Sequence, residues 1–150
     1  MSKTLSIKRS LCVNCRICEM ACSFSKAGMF NPVKARIWIH RSEKGADIPM
    51  ACRHCFSHSC PCAKACPVGA IRRDNERGIV RIFEEECIGC YECIEACPFG
   101  AIRIDAEEEK AFKCDLCGGD PECVKWCPTG AIKYVERRSV ATLSAIDKVR

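Results

Sequence analysis

A cysteine motif in the second half of the chain reads CIGCYECIEACP over residues 87–98. Its cysteines are separated by two, two and three residues, and proline follows the last one. This spacing is typical of bacterial iron–sulfur proteins, in which three cysteines of a motif hold one cubane cluster and the fourth holds its neighbour. The motif therefore predicts a second motif that exchanges a ligand with it.

Related motifs occur at three other places. Residues 12–22 read CVNCRICEMAC, with the same intervals but no proline after them. Residues 52–67 read CRHCFSHSCPCAKACP and residues 114–128 read CDLCGGDPECVKWCP, each keeping the opening pair and the closing three-residue interval. All except the first motif continue as CPxGAI. Four copies supply sixteen thiolates, the number that four 4Fe–4S clusters require.

The composition supports a metal protein. The chain has 150 residues and 17 cysteines, and such enrichment indicates either a disulfide scaffold or metal binding. The first residues lack the apolar stretch of a secretory signal, which disfavours disulfides and favours the cytoplasm. No apolar run reaches the length of a membrane span, so direct membrane insertion is not expected.

The formal net charge of +5 counts every cysteine as neutral. Metal-bound cysteines are thiolates, and four oxidised cubanes with their thiolates carry about −2 each, which brings the net charge to about −3. A nucleic-acid partner is therefore not predicted.

Structural zinc and disulfides are the alternatives for these cysteines. Zinc sites built from two separated CxxC pairs need neither a third cysteine two residues further on nor a fourth before proline. The spacing favours the clusters, and both alternatives stay open to metal analysis.

One cysteine exceeds the sixteen ligands. In the second motif only Cys62 and Cys66 reproduce the three-residue interval that closes the other motifs. Cys60 is therefore predicted to be a small residue beside the loop, with a swapped ligand or a redox sensor as the alternative.

The connections predict how the motifs pair. One short hairpin joins the second and third motifs, so we expect them to form an inner unit over residues 48–105. The first and fourth motifs flank it and pair with each other. We number the predicted sites 1 to 4, and their ligands are Cys12, Cys15, Cys18 and Cys127 (site 1), Cys22, Cys114, Cys117 and Cys123 (site 2), Cys52, Cys55, Cys62 and Cys97 (site 3), and Cys66, Cys87, Cys90 and Cys93 (site 4). Pairing of the first motif with the second, and of the third with the fourth, is the alternative.

The expected fold is α+β, with two nested bacterial-ferredoxin-like units of short strands and helices. The outer unit comprises residues 1–47 with 106–150, and the inner unit comprises 48–105. Hairpins are predicted around 71–83 and 102–112, and an exposed strand around 35–40. Val140, Leu143, Ile146 and Val149 recur every three residues, which predicts a C-terminal amphipathic helix.

Weaker candidates lie in the loops. His54 and His58 are predicted to be exposed, with tuning of a cluster through hydrogen bonds or protonation as the alternative. Tyr91 and Trp126 are predicted to shield clusters from water rather than to carry electrons. Cations inside the motifs would favour the reduced cluster, or would simply be solvated, and these are Arg16, Arg53, Lys64 and Lys125.

The motif order, the expanded second motif and the sequence KCDLC at 113–117 resemble the four-cluster ferredoxin-like subunits of anaerobic oxidoreductases. That family includes the iron–sulfur subunits of dimethyl sulfoxide reductase and formate dehydrogenase. The short fourth motif and residues 31–37 are most similar to the small subunits that accompany tungsten-containing aldehyde oxidoreductases. The resemblance implies pairing of the first motif with the fourth.

No nucleotide-binding or hydrolase motif is present in the sequence, so the chain is predicted to carry electrons rather than to catalyse a reaction. The expected partners are a catalytic subunit, of the tungsten or molybdenum pterin class on the resemblance, and a second redox protein. Self-association is a further possibility. A free polyferredoxin and, more remotely, a zinc-binding interaction module are the alternatives.

Overall fold

The computed structural model describes residues 2–41, 43, 47–55 and 60–137. Short antiparallel strands alternate with helices of four to eleven residues, which confirms the α+β prediction. The strands are β1 (Lys3–Ile7), β2 (Ile37–His40), β3 (Ile48–Ala51), β4 (Ile71–Asp74), β5 (Ile79–Ile82), β6 (Arg103–Asp105), β7 (Lys110–Phe112) and β8 (Ile132–Glu136). The helices are α1 (Ile17–Ala27), α2 (Pro61–Ala65), α3 (Glu92–Ala96) and α4 (Glu122–Lys125).

The strands form two-stranded ribbons, and each ribbon connects two cysteine motifs. β2 pairs with β3, β4 with β5 and β6 with β7, each within one hairpin that leads from one motif to the next. The fourth ribbon pairs β8, which follows the fourth motif, with β1, which precedes the first. The described chain therefore closes into a ring of four motifs and four ribbons, in which hydrogen bonds make the last connection.

The predicted hairpins at 71–83 and 102–112 are confirmed by the β4–β5 and β6–β7 ribbons. The strand expected around 35–40 exists, but the expectation that it is exposed is wrong. Ile37 is 1% exposed, because β2 packs on α1 and pairs with β3. The predicted tail helix over 140–149 lies outside the described residues.

Cysteine takes the place of much of a conventional hydrophobic core. Three clusters of buried residues exist in the described chain, and each contains cysteines from two sites. Aliphatic side chains from the ribbons, such as Ile132, Ile71 and Ile79, pack against these cysteines. The packing of the ribbons therefore depends on what the cysteines hold.

Candidate metal centres

The four motif loops share a backbone shape that the sequence does not display. The residue before the second cysteine has a left-handed conformation in every motif, with φ of 57° at Asn14, 53° at His54, 71° at Gly89 and 55° at Leu116. Only glycine and, to a lesser degree, asparagine adopt this conformation readily. Left-handed residues in a turn direct successive N–H groups into a concavity that suits an anion.

The third cysteine of each motif has an equivalent place as well. Cys18, Cys62, Cys93 and Cys123 are each the second residue of a helix, and all four are buried. Cys60, in contrast, precedes the first residue of α2. The structure thus gives Cys62 the position that the third cysteine occupies in the other motifs.

Two of the predicted ligand sets line open clefts. Cys12, Cys15, Cys18 and Cys127 line one cleft, and Cys66, Cys87, Cys90 and Cys93 line another. Each cleft opens to solvent. Cys127 and Cys66 come from the motif that the nested pairing expects, so the structure brings the cysteines of sites 1 and 4 together.

The other two sets are closed in the interior. Burial raises the pKa of Cys123, and the neighbouring thiols of Cys114, Cys22 and Cys117 raise it further. Burial, followed by the proximity of Cys60, Cys52 and Cys97, raises the pKa of Cys55 to about 11. The predicted partners at sites 2 and 3 are therefore neighbours, and Cys60 lies among those of site 3.

The four sites form a row in numerical order. Site 1 and site 2 share a buried cluster through Cys18 and Cys123, where α1 packs on α4. Cys114 and Cys52 join site 2 to site 3, and the α2–α3 contact joins site 3 to site 4. The ends of the row reach the surface, because Cys15 and Cys90 are exposed.

Backbone N–H groups point at several thiols. Arg36 donates to Cys22 Sγ at 3.2 Å, Ala70 to Cys66 Sγ at 3.3 Å, and Ala101 to Cys97 Sγ at 3.5 Å. His54 and Leu116 donate in the same way, at 3.4 Å, to the first cysteines of their motifs, Cys52 and Cys114. Such bonds stabilise thiolate and help to set the potential of a cluster bound to it.

Cys127 shows the effect most clearly. Burial raises its pKa, but the N–H groups of Ile132, Thr129 and Ala131 and the Thr129 hydroxyl outweigh burial. The pKa of the Cys127 thiol therefore lies below its ordinary value.

The donor sets fit cubane clusters. Each set consists of four sulfur atoms, and all 17 cysteines are free thiols within the described chain. Among the described residues, no three Cys, His, Asp or Glu side chains meet as ligands of a single ion. A cubane takes one thiolate at each iron, so its ligands surround a cage instead of converging on a point.

Two expectations about the loops are wrong. His54 is 0% exposed, because the β4–β5 ribbon covers it and Val80 N–H donates to its Nδ1 at 3.1 Å. Trp126 is 61% exposed, with its indole N–H donating to Glu122, and leaves the clusters unshielded. Tyr91 lines site 4 as expected. His58 lies outside the described residues.

Buried charges are what the sequence reasoning missed. Glu19 is 1% exposed, where it pairs with Arg16 at 2.6 Å and accepts the Ile39 N–H at 2.7 Å. Lys113 is 2% exposed. The sequence feature that could have drawn attention to Lys113 is its position directly before the fourth motif.

Comparison with known proteins identifies the family. A family model described as a 4Fe–4S dicluster domain matches residues 44–137. The chain belongs to this family. Iron–sulfur binding, predicted from the motifs, is thereby confirmed, and the number of clusters stays a prediction.

Relatives of this iron–sulfur protein carry names from electron transfer. The polyferredoxin-like subunit of an aliphatic sulfonate oxidoreductase from Pyrococcus furiosus is 40% identical over 110 residues, which are 73% of this chain and 62% of that protein. The electron transport protein HydN of Escherichia coli is 36% identical over 139 residues, covering 78% of this chain and 77% of HydN. The chain spans 44% of an iron–sulfur protein from Rhodospirillum rubrum and 57% of a ferredoxin from Methanocaldococcus jannaschii.

Solved structures share the fold. A chain of the active site complex BamBC of benzoyl coenzyme A reductase, as isolated, has a TM-score of 0.51 at 24% identity, covering 97% of this chain and 87% of that one. None of the helices in the described part of the chain has the length and apolar character to cross a membrane.

Proposed function

We propose that this chain is an electron-transfer subunit that relays electrons through four 4Fe–4S clusters between a catalytic oxidoreductase subunit and a second redox protein. The observation that carries the proposal is the row of four cysteine sets, which is open at both ends and buried between them. The clusters supply one-electron chemistry, and the chain holds them, orients them and keeps water from the middle of the row.

The proposed ligands are the sixteen cysteines of sites 1 to 4. Two observations support pairing of the first motif with the fourth and of the second with the third. Each end site has its own cleft, which is lined by cysteines from both motifs of the pair. In addition, α1 contacts α4 and α2 contacts α3. The same contacts support an outer unit of 1–47 with 106–150 around an inner unit of 48–105. The β2–β3 hairpin crosses the boundary between 47 and 48 and joins the two units.

The proposed partners follow from the two open ends. One end receives electrons from a catalytic subunit, or delivers them to it, and the other serves a second redox protein. The P. furiosus relative is named as a subunit of an oxidoreductase, which supports a catalytic partner. The tungsten or molybdenum pterin class of that partner is proposed from the resemblance of the motifs, and the cytoplasmic location from the cysteine-rich sequence without a secretory signal. On this proposal the chain has no substrate chemistry of its own.

A free electron carrier is the second candidate. It is favoured by the HydN relative, which is named an electron transport protein and is covered over 77% of its length. Purification of the tagged chain from its native cells separates the two functions. A stoichiometric large chain that contains tungsten or molybdenum supports the subunit. A chain that elutes alone and reduces several acceptors supports the carrier.

Metal analysis tests the clusters. Protein prepared without oxygen should contain about sixteen iron and sixteen sulfide per chain. Its broad visible absorption should bleach with dithionite. Stoichiometric zinc without sulfide would contradict the proposal and would favour an interaction module.

Double substitution tests the pairing. If Cys12 and Cys127 serve one cluster, the pair of serine substitutions should lose no more iron than either alone, about four per chain. Cys12→Ser with Cys66→Ser should lose about twice as much, because these cysteines belong to different sites. The opposite pattern would establish the alternative pairing of the first motif with the second.

A further inference from the structure

Lys113 is a buried cation at the centre of the molecule. It follows β7, immediately before Cys114, the first cysteine of the fourth motif, and it is 2% exposed. Its ammonium donates to the carbonyl of Val80 and, at 3.1 Å, to the carbonyl of Cys114. Both acceptors are neutral carbonyl groups, so they do not neutralise the positive charge of the ammonium.

No carboxylate lies within 4.0 Å of Lys113 in the described chain. The acidic residue nearest in sequence, Asp115, pairs instead with Lys26 at 2.8 Å and with Arg36 at 3.4 Å. A buried charge without an opposite charge is expensive. Glu84, Glu85 and Asp115 line the same cavity as Lys113, but within the described chain none of them lies at ion-pairing distance from its ammonium. The charge is therefore free to act on an anion at the neighbouring cysteine sites.

The groups on the other side of Lys113 supply no negative charge. His54 is fully buried, and its Nδ1 accepts the N–H of Val80, the residue whose carbonyl binds Lys113. Because Nδ1 accepts this hydrogen bond it carries no proton, so the ring is neutral. Arg73 adds a further cation, which donates to the carbonyl of Cys55.

This position lies between the two interior sites. Val80 connects the ammonium to the loop of site 3 through His54, and Cys114 connects it to site 2. Val80 packs in the same buried cluster as Cys62, and Cys114 follows Lys113 directly in the chain. One ligand of each interior site therefore lies close to the ammonium.

We propose that Lys113 is the fixed positive charge that raises the reduction potentials of the clusters at sites 2 and 3. The inference rests on the proposed function, since it presupposes clusters at these sites. A reduced cluster carries one more negative charge than an oxidised one, so a nearby cation stabilises the reduced form. In a buried region the effect is strong and little screened by salt.

The test is a potentiometric titration of the intact holoprotein, followed by electron paramagnetic resonance. Lys113→Met removes the charge and keeps the length of the side chain. The reduction potentials of two of the four clusters should fall by about 59 mV, which for one electron is a tenfold change. At a fixed applied potential, the ratio of reduced to oxidised cluster at these two sites should therefore drop about tenfold. The end clusters are identified by adding a paramagnetic lanthanide chelate, which broadens the signals of exposed centres, and their potentials should stay unchanged.

Matched variants separate charge from structure. Lys113→Arg keeps the charge and should restore the potentials. Lys125 is an exposed cation in the fourth motif, and it pairs with Asp120 and Glu122. Lys125→Met removes this charge and should leave all four potentials unchanged. Lys113→Gln, which keeps an N–H donor, is measured in parallel so that a folding defect in one variant leaves the other decisive.

The outcomes are distinct. Unchanged potentials in either neutral variant with full iron content would overturn the role of Lys113, and so would an equal shift at all four clusters. A wild-type protein without four clusters would instead overturn the proposed function before any variant is compared.

Discussion

The end sites and the interior sites of the row are built from the same motif, but they differ in the exposure of their cysteines. Sites 1 and 4 each have one buried and one exposed cysteine, and each lines a cleft that opens to solvent. Sites 2 and 3 together have five buried cysteines and none that is exposed. The four motifs share the spacing of their opening pair and of their closing interval, so the difference in burial between end and interior sites comes from the position of each motif in the ring. On the proposed function, that position decides whether a cluster faces a partner or another cluster.

The largest expected effect comes from removing one ligand at each kind of site. Cys123→Ser at site 2 should lose more than one cluster and much of the folded protein, because Cys123 is in the buried cluster that joins sites 1 and 2. Cys90→Ser at the exposed edge of site 4 should keep about three quarters of the iron. Iron content and the yield of soluble protein measure the difference, and equal losses would break the distinction between ends and middle.

A smaller contrast concerns the crowded interior site. Cys60 Sγ lies 3.5 Å from Cys62 Sγ, and both residues are buried. Cys62→Ser should lose the site 3 cluster, because Cys62 has the helical position of a third ligand. Cys60→Ser should keep all four clusters, as judged by iron content and resonance spectra. The reverse result would make Cys60 the ligand.

The smallest expected effect concerns stability, and here a substitution at an end site should cost more than one beside an interior site. Gly89 at site 4 has φ of 71°, and a Cβ there would lie 2.6 Å from the backbone oxygen of Glu109. Gly118 beside site 2 has φ of 68°, and a Cβ added there would meet no atom within 4 Å. Gly118→Ala should cost about 1–2 kcal/mol for the left-handed backbone. Gly89→Ala should add about 1–3 kcal/mol for overpacking.

The denaturant midpoint of the visible absorption, measured without oxygen, compares the two glycine variants. Equal midpoints would show that the Glu109 turn moves aside and that the end site is less rigid than its contacts indicate.

Local features of this fold were predictable from the sequence. The cysteine intervals indicated the four sets, and polar turns between apolar segments indicated the β4–β5 and β6–β7 hairpins. Pairing of β1 with β8 was not predicted, because Ile7 and Ile132 meet across almost the whole chain and neither strand signals its partner.

Burial was harder to infer than spacing. His54 and Lys113 are residue types that usually face water. Their burial depends on the ribbon and on the neighbouring cysteine sites, which only the folded chain brings together. The left-handed conformation of Leu116 was hidden for a related reason. Its side chain is 0% exposed, and packing holds a backbone shape that the residue itself disfavours.

The ring of ribbons has a consequence for how the fold tolerates a change of chain order. Lys3 stands opposite Glu136 in the β1–β8 ribbon, so the connection from the fourth motif to the first already exists without a peptide bond. Each of the other ribbons makes the same connection through a turn. A circular permutant that joins these strands covalently and opens the turn between Asp74 and Ile79 would therefore keep every ribbon and every cysteine set. The architecture is a cycle, so any of its four ribbons could be the one that lacks a covalent turn.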